Sequence, residues 1–442
     1  MQTVTEKVPS ALDKLNKYIL VDGFEVVVDL KKSQGSYLYD ALTNKRFLDF
    51  YTYFCSLPVG HNHPQMFEKK FLEELKLAAI ANPANSDVYT NEFADFVETF
   101  TSFCGQDFKH FFFVAGGACA VGNALKTAFD WKVKKNLANG LKSSRDLCAI
   151  HFNESFHGRT GYAMSISNAK PVHTEGFPLF KWPRILNPKI EFPLNDQSLN
   201  RVKEKESQAL LQIQSAIREN ENAVAAIIIE PIQGEGGDNH FRKEFFAELK
   251  KIVDANDIML IVDEVQTGFG MTGKIWAYQH FGIVPDIVTF GKKAQVCGIM
   301  VGEKVDQVKD NVFTVSGRIN STWGGNLVDM VRCKQYIKII QKENLVQNAA
   351  KVGKYILDSL VALSKEYPGT LSNVRGLGLM IAFDLPDADK KKEMVQKLWE
   401  KEIIALSSGT HGIRIRPPLT LSLEEAKSFI EQCRNILKDG LK

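Results

Sequence analysis

The sequence predicts an α/β protein whose large domain has a mostly parallel sheet with helices on both faces. A smaller α+β domain is expected from the two ends of the chain. Between about residues 65 and 320, short apolar runs alternate with longer helical patterns. That alternation is typical of a parallel sheet buried on both faces. The expected strands of this sheet are 111–114, 147–152, 223–229, 258–262 and 287–290.

The two ends of the chain have a different pattern. Residues 1–20 predict a short helix that packs as an arm on a partner subunit. The segments FEVVVDL, SYLYDA and KRFLDFY between residues 24 and 51 predict a small antiparallel sheet. A long helix is expected over 327–343, followed by a mixture of helices and strands, among them 379–383 and 412–415. We therefore predict a large domain at 65–326 and a small domain formed by 1–64 and 327–442.

Composition excludes several classes of protein. The 442 residues are 44% hydrophobic and 24% charged, as expected for a globular chain of more than one domain. Lys and Arg (55) nearly balance Asp and Glu (52), so nucleic acid is not an expected partner. No apolar run approaches the ~18 residues of a membrane span. We expect no membrane partner and a cytoplasmic location.

Cysteine and histidine usage gives no indication of a metal site. The seven cysteines are scattered and form no CxxC pair, so we expect reduced thiols. His61 and His63 alternate along the chain without a third ligand nearby in the sequence. Two histidines without a third ligand rarely bind a metal ion. No metal is therefore predicted.

Two neighbouring predicted strands deliver an acid and an amine to one edge of the sheet. Asp263 follows 258–262, and Lys292 follows 287–290 after a single glycine. In open α/β sheets, ligands bind outside the carboxyl ends of the strands. Pyridoxal phosphate (PLP) needs a lysine for its Schiff base and an acid that keeps its ring nitrogen protonated. An Asp after a strand is often only a turn residue, and Lys293 remains an alternative because position and residue type do not separate adjacent lysines.

Two glycine-rich stretches lie near these strands. GFGMTG at 268–273 matches the dinucleotide-binding pattern, but five residues separate it from the preceding strand, so we interpret it as a loop. AGGA at 115–118 lies between strand 111–114 and a predicted helix that runs to about residue 134. Free N–H groups and the helix dipole make such a turn suitable for phosphate. The backbone at Gly117 and Ala118 is the predicted phosphate site.

Several motifs resemble those of one enzyme family. DEVQTGFGMTG, the following PDI and GK, and GHNHP are similar to the class III (ω-amino acid) branch of the fold-type I PLP aminotransferases. FHGRTGY, NSTWGG and GKKAQVCG resemble its lysine 6-aminotransferase subgroup. The resemblance extends over nearly the full length. It implies a fold-type I large domain with a seven-stranded type of sheet, PLP as cofactor and a homodimer with shared active sites.

The resemblance also implies a role for each matching residue. Lys292 is the Schiff-base lysine, and Asp263 holds the ring nitrogen. The remaining cofactor contacts are implied at Gly117, Ala118, Phe156, Glu230, Gln266 and, from the neighbouring subunit, Thr322. The implied substrate-binding residues are Arg159, Glu235, Gln266, Asn320 and Arg414. Glu235 and Arg414 would form a switch that hides the arginine from an amino substrate and opens for a keto acid. His157 is as compatible with a structural role as with a catalytic one, and Arg416 is interpreted as structural.

The chain departs from the subgroup's phosphate motif at Ala115, Cys119 and Gly122. The backbone at Gly117 and Ala118 is unaffected by these changes. Gly122 lies inside a predicted helix, where glycine costs about 0.5–1 kcal/mol relative to Ala. It is expected either to permit close packing at a subunit boundary or to reflect engineering.

The resemblance implies a reaction as well as a fold. The ε-amino group of L-lysine would be transferred to 2-oxoglutarate by a ping-pong mechanism that alternates the pyridoxal and pyridoxamine forms of the cofactor. The products would be 2-aminoadipate 6-semialdehyde and L-glutamate. Another ω-amine donor, such as ornithine, GABA or a diamine, is the nearest alternative. A PLP decarboxylase or aminomutase is a more distant one.

Overall fold

The computed structural model describes residues 10–141 and 146–441. Its central feature is a seven-stranded sheet in which only Cys297–Val301 runs against the other strands. In spatial order the strands are His110–Val114, Cys297–Val301, Ile287–Phe290, Met259–Asp263, Val224–Ile229, Cys148–Phe152 and Arg184–Ile185. The predicted α/β class and mostly parallel sheet are therefore confirmed.

Both faces of this sheet are buried, which explains why its strands are continuous apolar runs rather than alternating ones. Every residue of Val224–Ile229, Met259–Asp263 and Ile287–Phe290 is buried. The helix Gly117–Ala138 packs on one face of the sheet. The other helices are Ala11–Leu15, Lys69–Ala81, Asn91–Cys104, Gly161–Ser165, Asp196–Glu219, Lys243–Ala255, Leu327–Lys342, Leu345–Glu366, Ala388–Glu400 and Leu423–Asp439.

The two ends of the chain share a sheet. Tyr37–Asp40 pairs antiparallel with Lys45–Asp49, which pairs in parallel with Ile403–Ile404 near the carboxyl end. A separate four-stranded sheet has the order Ser372–Leu377, Met380–Asp384, Gly412–Ile415 and Leu406–Ser408, and Ile232–Gln233 pairs with Asn239–His240. The shared sheet supports a small domain made from both termini, although the boundaries at residues 64 and 326 stay a prediction.

The strand predicted over FEVVVDL is wrong. That segment forms only an isolated bridge, between Val28 and Asp40. The carboxylate of Asp40 accepts a hydrogen bond from the backbone N–H of Val27 at 2.9 Å. That N–H is therefore not available for a backbone hydrogen bond to the neighbouring strand, and the pairing does not continue. The described part of the amino-terminal helix is also shorter than expected, from Ala11 to Leu15, and residues 1–9 of that prediction lie outside the described residues.

A left-handed turn precedes the first helix of the large domain. All four residues of Thr52–Cys55 have positive φ angles, between 43° and 75°. Left-handed backbone costs non-glycine residues about 1–2 kcal/mol each. The Asp49 carboxylate holds the turn by accepting from the Thr52 N–H at 2.7 Å, and the Thr52 hydroxyl donates to the Arg416 carbonyl at 2.6 Å. Such strain persists where surrounding structure fixes it, commonly at functional sites.

Among residues 10–141 and 146–441, no helix is both long enough and apolar enough to span a membrane. The GFGMTG stretch forms a loop of turns rather than the start of a helix, as predicted. All seven cysteines have free thiols, and only Cys119 is exposed.

Candidate active site

A cavity of about 240 Å3 lies at the carboxyl ends of the central strands. Asp263 ends one strand, and Lys292 follows its parallel neighbour after Gly291. The register of the two strands pairs Asp263 with Thr289, so both side chains reach the same edge of the sheet. Asp263 and Lys292 line this cavity together with Gly117, Ala118, Phe156, His157, Gly158, Glu230, Ile232, Glu235, Val265, Gln266, Thr267 and Cys297.

Three groups fix the carboxylate of Asp263. It is hydrogen-bonded to Nδ1 of His157 at 2.7 Å, and it accepts from the Thr289 hydroxyl at 2.9 Å and from the Val265 N–H at 3.1 Å. Burial alone would lower the pKa of His157, but the hydrogen bond and the charge of Asp263 outweigh burial and raise it. The contact therefore holds the His157 ring against the Asp263 carboxylate and favours the protonated imidazole. Nε2 of His157 is buried and has no protein partner among the described residues.

The two adjacent lysines point to different places. Lys292 lines both the inner cavity and the wider cavity outside it. Burial lowers the pKa of its amine, with a contribution from the positive charge of Arg414, which favours the neutral amine that a nucleophile needs. Lys293 is fully buried, and its Nζ donates to the carbonyl of Cys55 at 2.9 Å and contacts the Cys55 thiol. The geometry supports Lys292, and the assignment stays a prediction.

The helix Gly117–Ala138 begins at the cavity. Its N-cap residue, Gly116, has a φ of 96° and provides no side-chain cap for the first turn. The first N–H groups of a helix lack partners within the helix and attract anions. A Cβ at Gly117 would lie 3.2 Å from Cγ1 of Val265, so a side chain there would be crowded. This end of the cavity is suited to a phosphate group.

Glu230 lies beneath the loop that carries Phe156. Its carboxylate accepts from the Phe156 N–H at 2.9 Å and from the Gly234 N–H at 3.2 Å. Burial raises the pKa of Glu230 to about 7. The Phe156 ring lines both cavities, and the guanidinium of Arg159 lies 5.4 Å from its centroid. Glu230 thus fixes the position of an aromatic ring at the cavity wall.

A wider cavity of about 670 Å3 leads outward from Lys292. Arg159 lies at its exposed rim, and Arg414 lies at its buried wall on strand Gly412–Ile415. Arg414 donates to Glu235 at 2.8 Å and to the carbonyl of Gly234 at 3.0 Å. Burial alone would raise the pKa of Glu235, but Arg414 and Lys170 together lower it to about 2. Glu235 and Arg414, the predicted switch, therefore form an ion pair.

Two predicted site residues do not reach either cavity within the same chain. Asn320 and Thr322 are exposed, and neither lines the inner or the wider cavity. The side chain of Asn320 accepts from the Ser321 N–H at 2.7 Å, and the Thr322 carbonyl accepts from the Ser86 hydroxyl at 3.0 Å. Their roles stay predictions that require a second subunit.

Among the site residues that the sequence did not indicate, three are important for the geometry: Thr289, Lys170 and Phe24. Thr289, which binds Asp263, is hidden in an apolar strand, although the parallel register of its strand with 259–263 would have indicated it. Lys170 and Phe24 line the wider cavity and had no recognisable motif.

Arg416, predicted to be structural, is 1% exposed and forms an ion pair with Asp238. Within the described ranges, no group of three or more His, Cys, Asp or Glu side chains is arranged to hold a metal ion.

Comparison with known proteins identifies the family. The model of the family "Aminotransferase class-III" matches residues 19–437. The chain belongs to the class III aminotransferases. A curated L-lysine-epsilon aminotransferase of Mycobacterium tuberculosis is 46% identical to this aminotransferase over 425 residues, 96% of this chain and 94% of the relative. The human mitochondrial 4-aminobutyrate aminotransferase is 31% identical over 98% of this chain and 89% of the relative.

Solved structures agree with this assignment. The structure of "lysine aminotransferase from M. tuberculosis in the internal aldimine form" is 45% identical, has a TM-score of 0.94 and is matched over 97% of this chain and 99% of that one. The predicted fold-type I architecture and the recognition of the class are therefore confirmed.

The cofactor of this aminotransferase is pyridoxal 5'-phosphate, as predicted. The side chains of the inner cavity fit it. The helix start at Gly117 suits the phosphate, Asp263 suits a protonated ring nitrogen, and Lys292 supplies an amine in the same cavity. His157, which also lines this cavity, has a buried Nε2 without a hydrogen-bond partner among the described residues.

Proposed function

We propose that this aminotransferase moves the ε-amino group of L-lysine to 2-oxoglutarate and forms 2-aminoadipate 6-semialdehyde and L-glutamate. The observation that carries the proposal is the higher sequence identity to lysine aminotransferases than to 4-aminobutyrate aminotransferases. Identity is 44–46% to L-lysine-epsilon aminotransferases of three bacterial genera and 31–32% to 4-aminobutyrate aminotransferases, at similar coverage. The difference favours lysine over GABA as the amine donor.

The charges of the wider cavity support two carboxylate-bearing substrates. Arg159 and Arg414 line the same cavity as the amine of Lys292. Arginine binds carboxylates as a planar fork. With Arg414 paired to Glu235, an amino acid donor has Arg159 for its carboxylate and extends its distal amine inward. With Arg414 released, the two arginines match the two carboxylates of 2-oxoglutarate.

Bound pyridoxal phosphate supplies a ring that accepts electrons from the substrate carbon that loses its proton. Around it, Asp263 is positioned to hold a proton on the ring nitrogen, and His157 and Thr289 fix the orientation of Asp263. The N–H groups at Gly117 and Ala118 would bind the phosphate, and Phe156 would cover one face of the ring. Gln266 would donate to the ring hydroxyl oxygen. The amine of Lys292 would carry the proton between substrate and cofactor at Nζ.

A homodimer with shared active sites is the second part of the proposal. Its support is the exposure of Asn320 and Thr322 outside the cavities of their own chain. In a dimer, Thr322 would reach the phosphate of the neighbouring site and Asn320 its pocket wall. Co-expression of Lys292→Ala chains with Thr322→Ala chains tests this arrangement, because a mixed dimer would contain one site free of both changes. Recovery of activity above that of either variant alone is expected, and no recovery would contradict shared sites.

The donor is tested by absorbance titration of the purified holoenzyme. L-lysine should bleach the visible band of the bound cofactor, and 2-oxoglutarate should restore it with one glutamate formed per site. Ornithine, GABA and a diamine serve as competing donors at equal concentration. If one of these amines bleaches the band and lysine does not, that amine and not lysine is the donor. Release of carbon dioxide without glutamate would indicate a decarboxylase.

The domain division at 64 and 326 and the cytoplasmic location remain part of this proposal. The pairing of Lys45–Asp49 with Ile403–Ile404 supports the small domain. Limited proteolysis that cuts first near residues 64 and 326 would agree with these boundaries, and first cuts inside 110–301 would contradict them. Fractionation of the source cells would test the location, with the enzyme expected in the cytoplasmic fraction.

A further inference from the structure

Glu235 contacts two cations at once, and only one of them belongs to the predicted switch. Its Oε2 accepts from Arg414 at 2.8 Å, whereas its Oε1 contacts the amine of Lys170. Because each cation has its own oxygen, one contact can break while the other remains. Both cations line the wider cavity, where Glu235 is the only acidic residue among the described lining residues.

The two cations differ in their access to water. The side chain of Arg414 is 4% exposed, and that of Lys170 is 46% exposed. Glu235, at 16%, lies between the buried and the exposed partner. A carboxylate that simply left Arg414 would be a largely buried charge without a partner, which is costly. A carboxylate that turned outward toward Lys170 would keep both a partner and contact with solvent.

We propose that Lys170 is a positioning residue for acceptor specificity: it is the partner that retains Glu235 when Arg414 is released to bind a dicarboxylate. The inference rests on the proposed function, since it concerns the half-reaction that uses 2-oxoglutarate. In the closed arrangement Glu235 contacts both Arg414 and Lys170, and in the open arrangement, with Arg414 released, it contacts only Lys170. Loss of Lys170 therefore leaves Glu235 without any partner only in the open arrangement, so Lys170 stabilises the open arrangement more than the closed one.

The test measures equilibrium binding of glutarate to the holoenzyme by calorimetry. Glutarate has the two carboxylates of 2-oxoglutarate and no keto group, so binding is separated from reaction. Lys170→Met removes the charge and keeps the apolar stem, and it should weaken glutarate binding about two- to fivefold, the range that part-exposed ion pairs reach. Lys170→Arg should restore binding. Lys205→Met is the control for loss of a part-exposed lysine: Lys205 is 35% exposed, forms an ion pair with Glu191 at 2.8 Å and lies on a helix outside both cavities.

A double-mutant cycle separates the proposed role from general attraction of anions. In a Glu235→Gln background there is no carboxylate for Lys170 to hold, so Lys170→Met should have no further effect on glutarate binding. Equal weakening in both backgrounds would show only long-range attraction and overturn the proposal. Tighter glutarate binding in Lys170→Met would show that Lys170 holds the closed arrangement, which also overturns it, as would an unchanged affinity.

The kinetic test compares how the variant changes the half-saturating concentrations of the two substrates, 2-oxoglutarate and L-lysine. The 2-oxoglutarate concentration that gives half the maximal rate should rise in Lys170→Met by the same factor as glutarate affinity falls, with a smaller change for L-lysine. Equal changes for both substrates would contradict the inference. If the unmodified enzyme binds glutarate but does not react with 2-oxoglutarate, the proposed acceptor is wrong while the role of Lys170 is still decided by the glutarate cycle.

Discussion

Replacement of Asp263 by Asn tests the electrostatic core of the site. The substitution keeps the shape of the side chain and removes its charge. Asp263 is 5% exposed, and its carboxylate contacts His157 at 2.7 Å. By the proposed role it holds the ring nitrogen as well. A hydrogen bond to a charged group contributes about 1.5–3 kcal/mol. With two such contacts weakened, the lower limit is about 3 kcal/mol, or roughly 100-fold in rate.

The assay is the stopped-flow rate of the first half-reaction with L-lysine at saturating cofactor. Thr289→Val is the graded control, because it removes the 2.9 Å hydroxyl contact while Asp263 keeps its charge and two other partners. That variant should lose about tenfold, because it removes one hydrogen bond to a charged group, worth about 1.5 kcal/mol at the lower limit, and leaves the other contacts of Asp263 in place. An Asp263→Asn enzyme that binds the cofactor and reacts within about threefold of the unmodified enzyme would refute the reasoning.

Three further changes have defined outcomes. Glu230→Gln should reduce the pH dependence of the free energy of unfolding. Burial raises the pKa of Glu230 to about 7 in the folded protein, so protonated Glu230 stabilises the fold at low pH, and this stabilisation is lost as the pH rises from about 4.5 through 7. Glutamine does not titrate, so the variant should lack this loss. Denaturant unfolding of the cofactor-free proteins at pH 5 and pH 8 measures this, and equal losses in both proteins would contradict it. Glu235→Gln removes the charge that pairs with Arg414 and should tighten L-glutamate binding about fivefold or more, since a charge-assisted hydrogen bond no longer competes for the arginine; unchanged affinity would mean that the pair is not the barrier. Gly122→Ala should stabilise the protein by about 0.5–1 kcal/mol in thermal unfolding, because an added Cβ meets no atom of the chain within 4 Å; lower stability with loss of the dimer would instead place Gly122 at a tight subunit contact.

The large sheet was predictable because its strands are buried on both faces and are therefore apolar throughout. The runs at 258–262 and 287–290 nearly coincide with Met259–Asp263 and Ile287–Phe290. The same strands fix the positions of Asp263 and Lys292 at one edge. The glycine turn and the helix after it were predictable for a local reason, because a strand, a glycine turn and a helix follow one another directly in the sequence. The structure places the start of that helix at the cavity, and phosphate binding there stays a prediction.

Contacts between distant segments could not be predicted in the same way. The strand expected at FEVVVDL failed because the Asp40 side chain, remote from that segment's own pattern, takes the N–H of Val27. The left-handed turn Thr52–Cys55 contains no glycine and depends on Asp49 and the carbonyl of Arg416. Lys170 reaches Glu235 across 65 residues of sequence, and its surroundings are an ordinary polar loop.

The most direct measurement of the central claim is the site of covalent attachment of the cofactor. Borohydride reduction of the holoenzyme, digestion and mass spectrometry should locate the phosphopyridoxyl group on the peptide at Lys292, and Lys292→Ala should carry no label while Lys293→Met remains labelled. Label at Lys293, or at neither lysine in a protein that has bound the cofactor, would contradict the account.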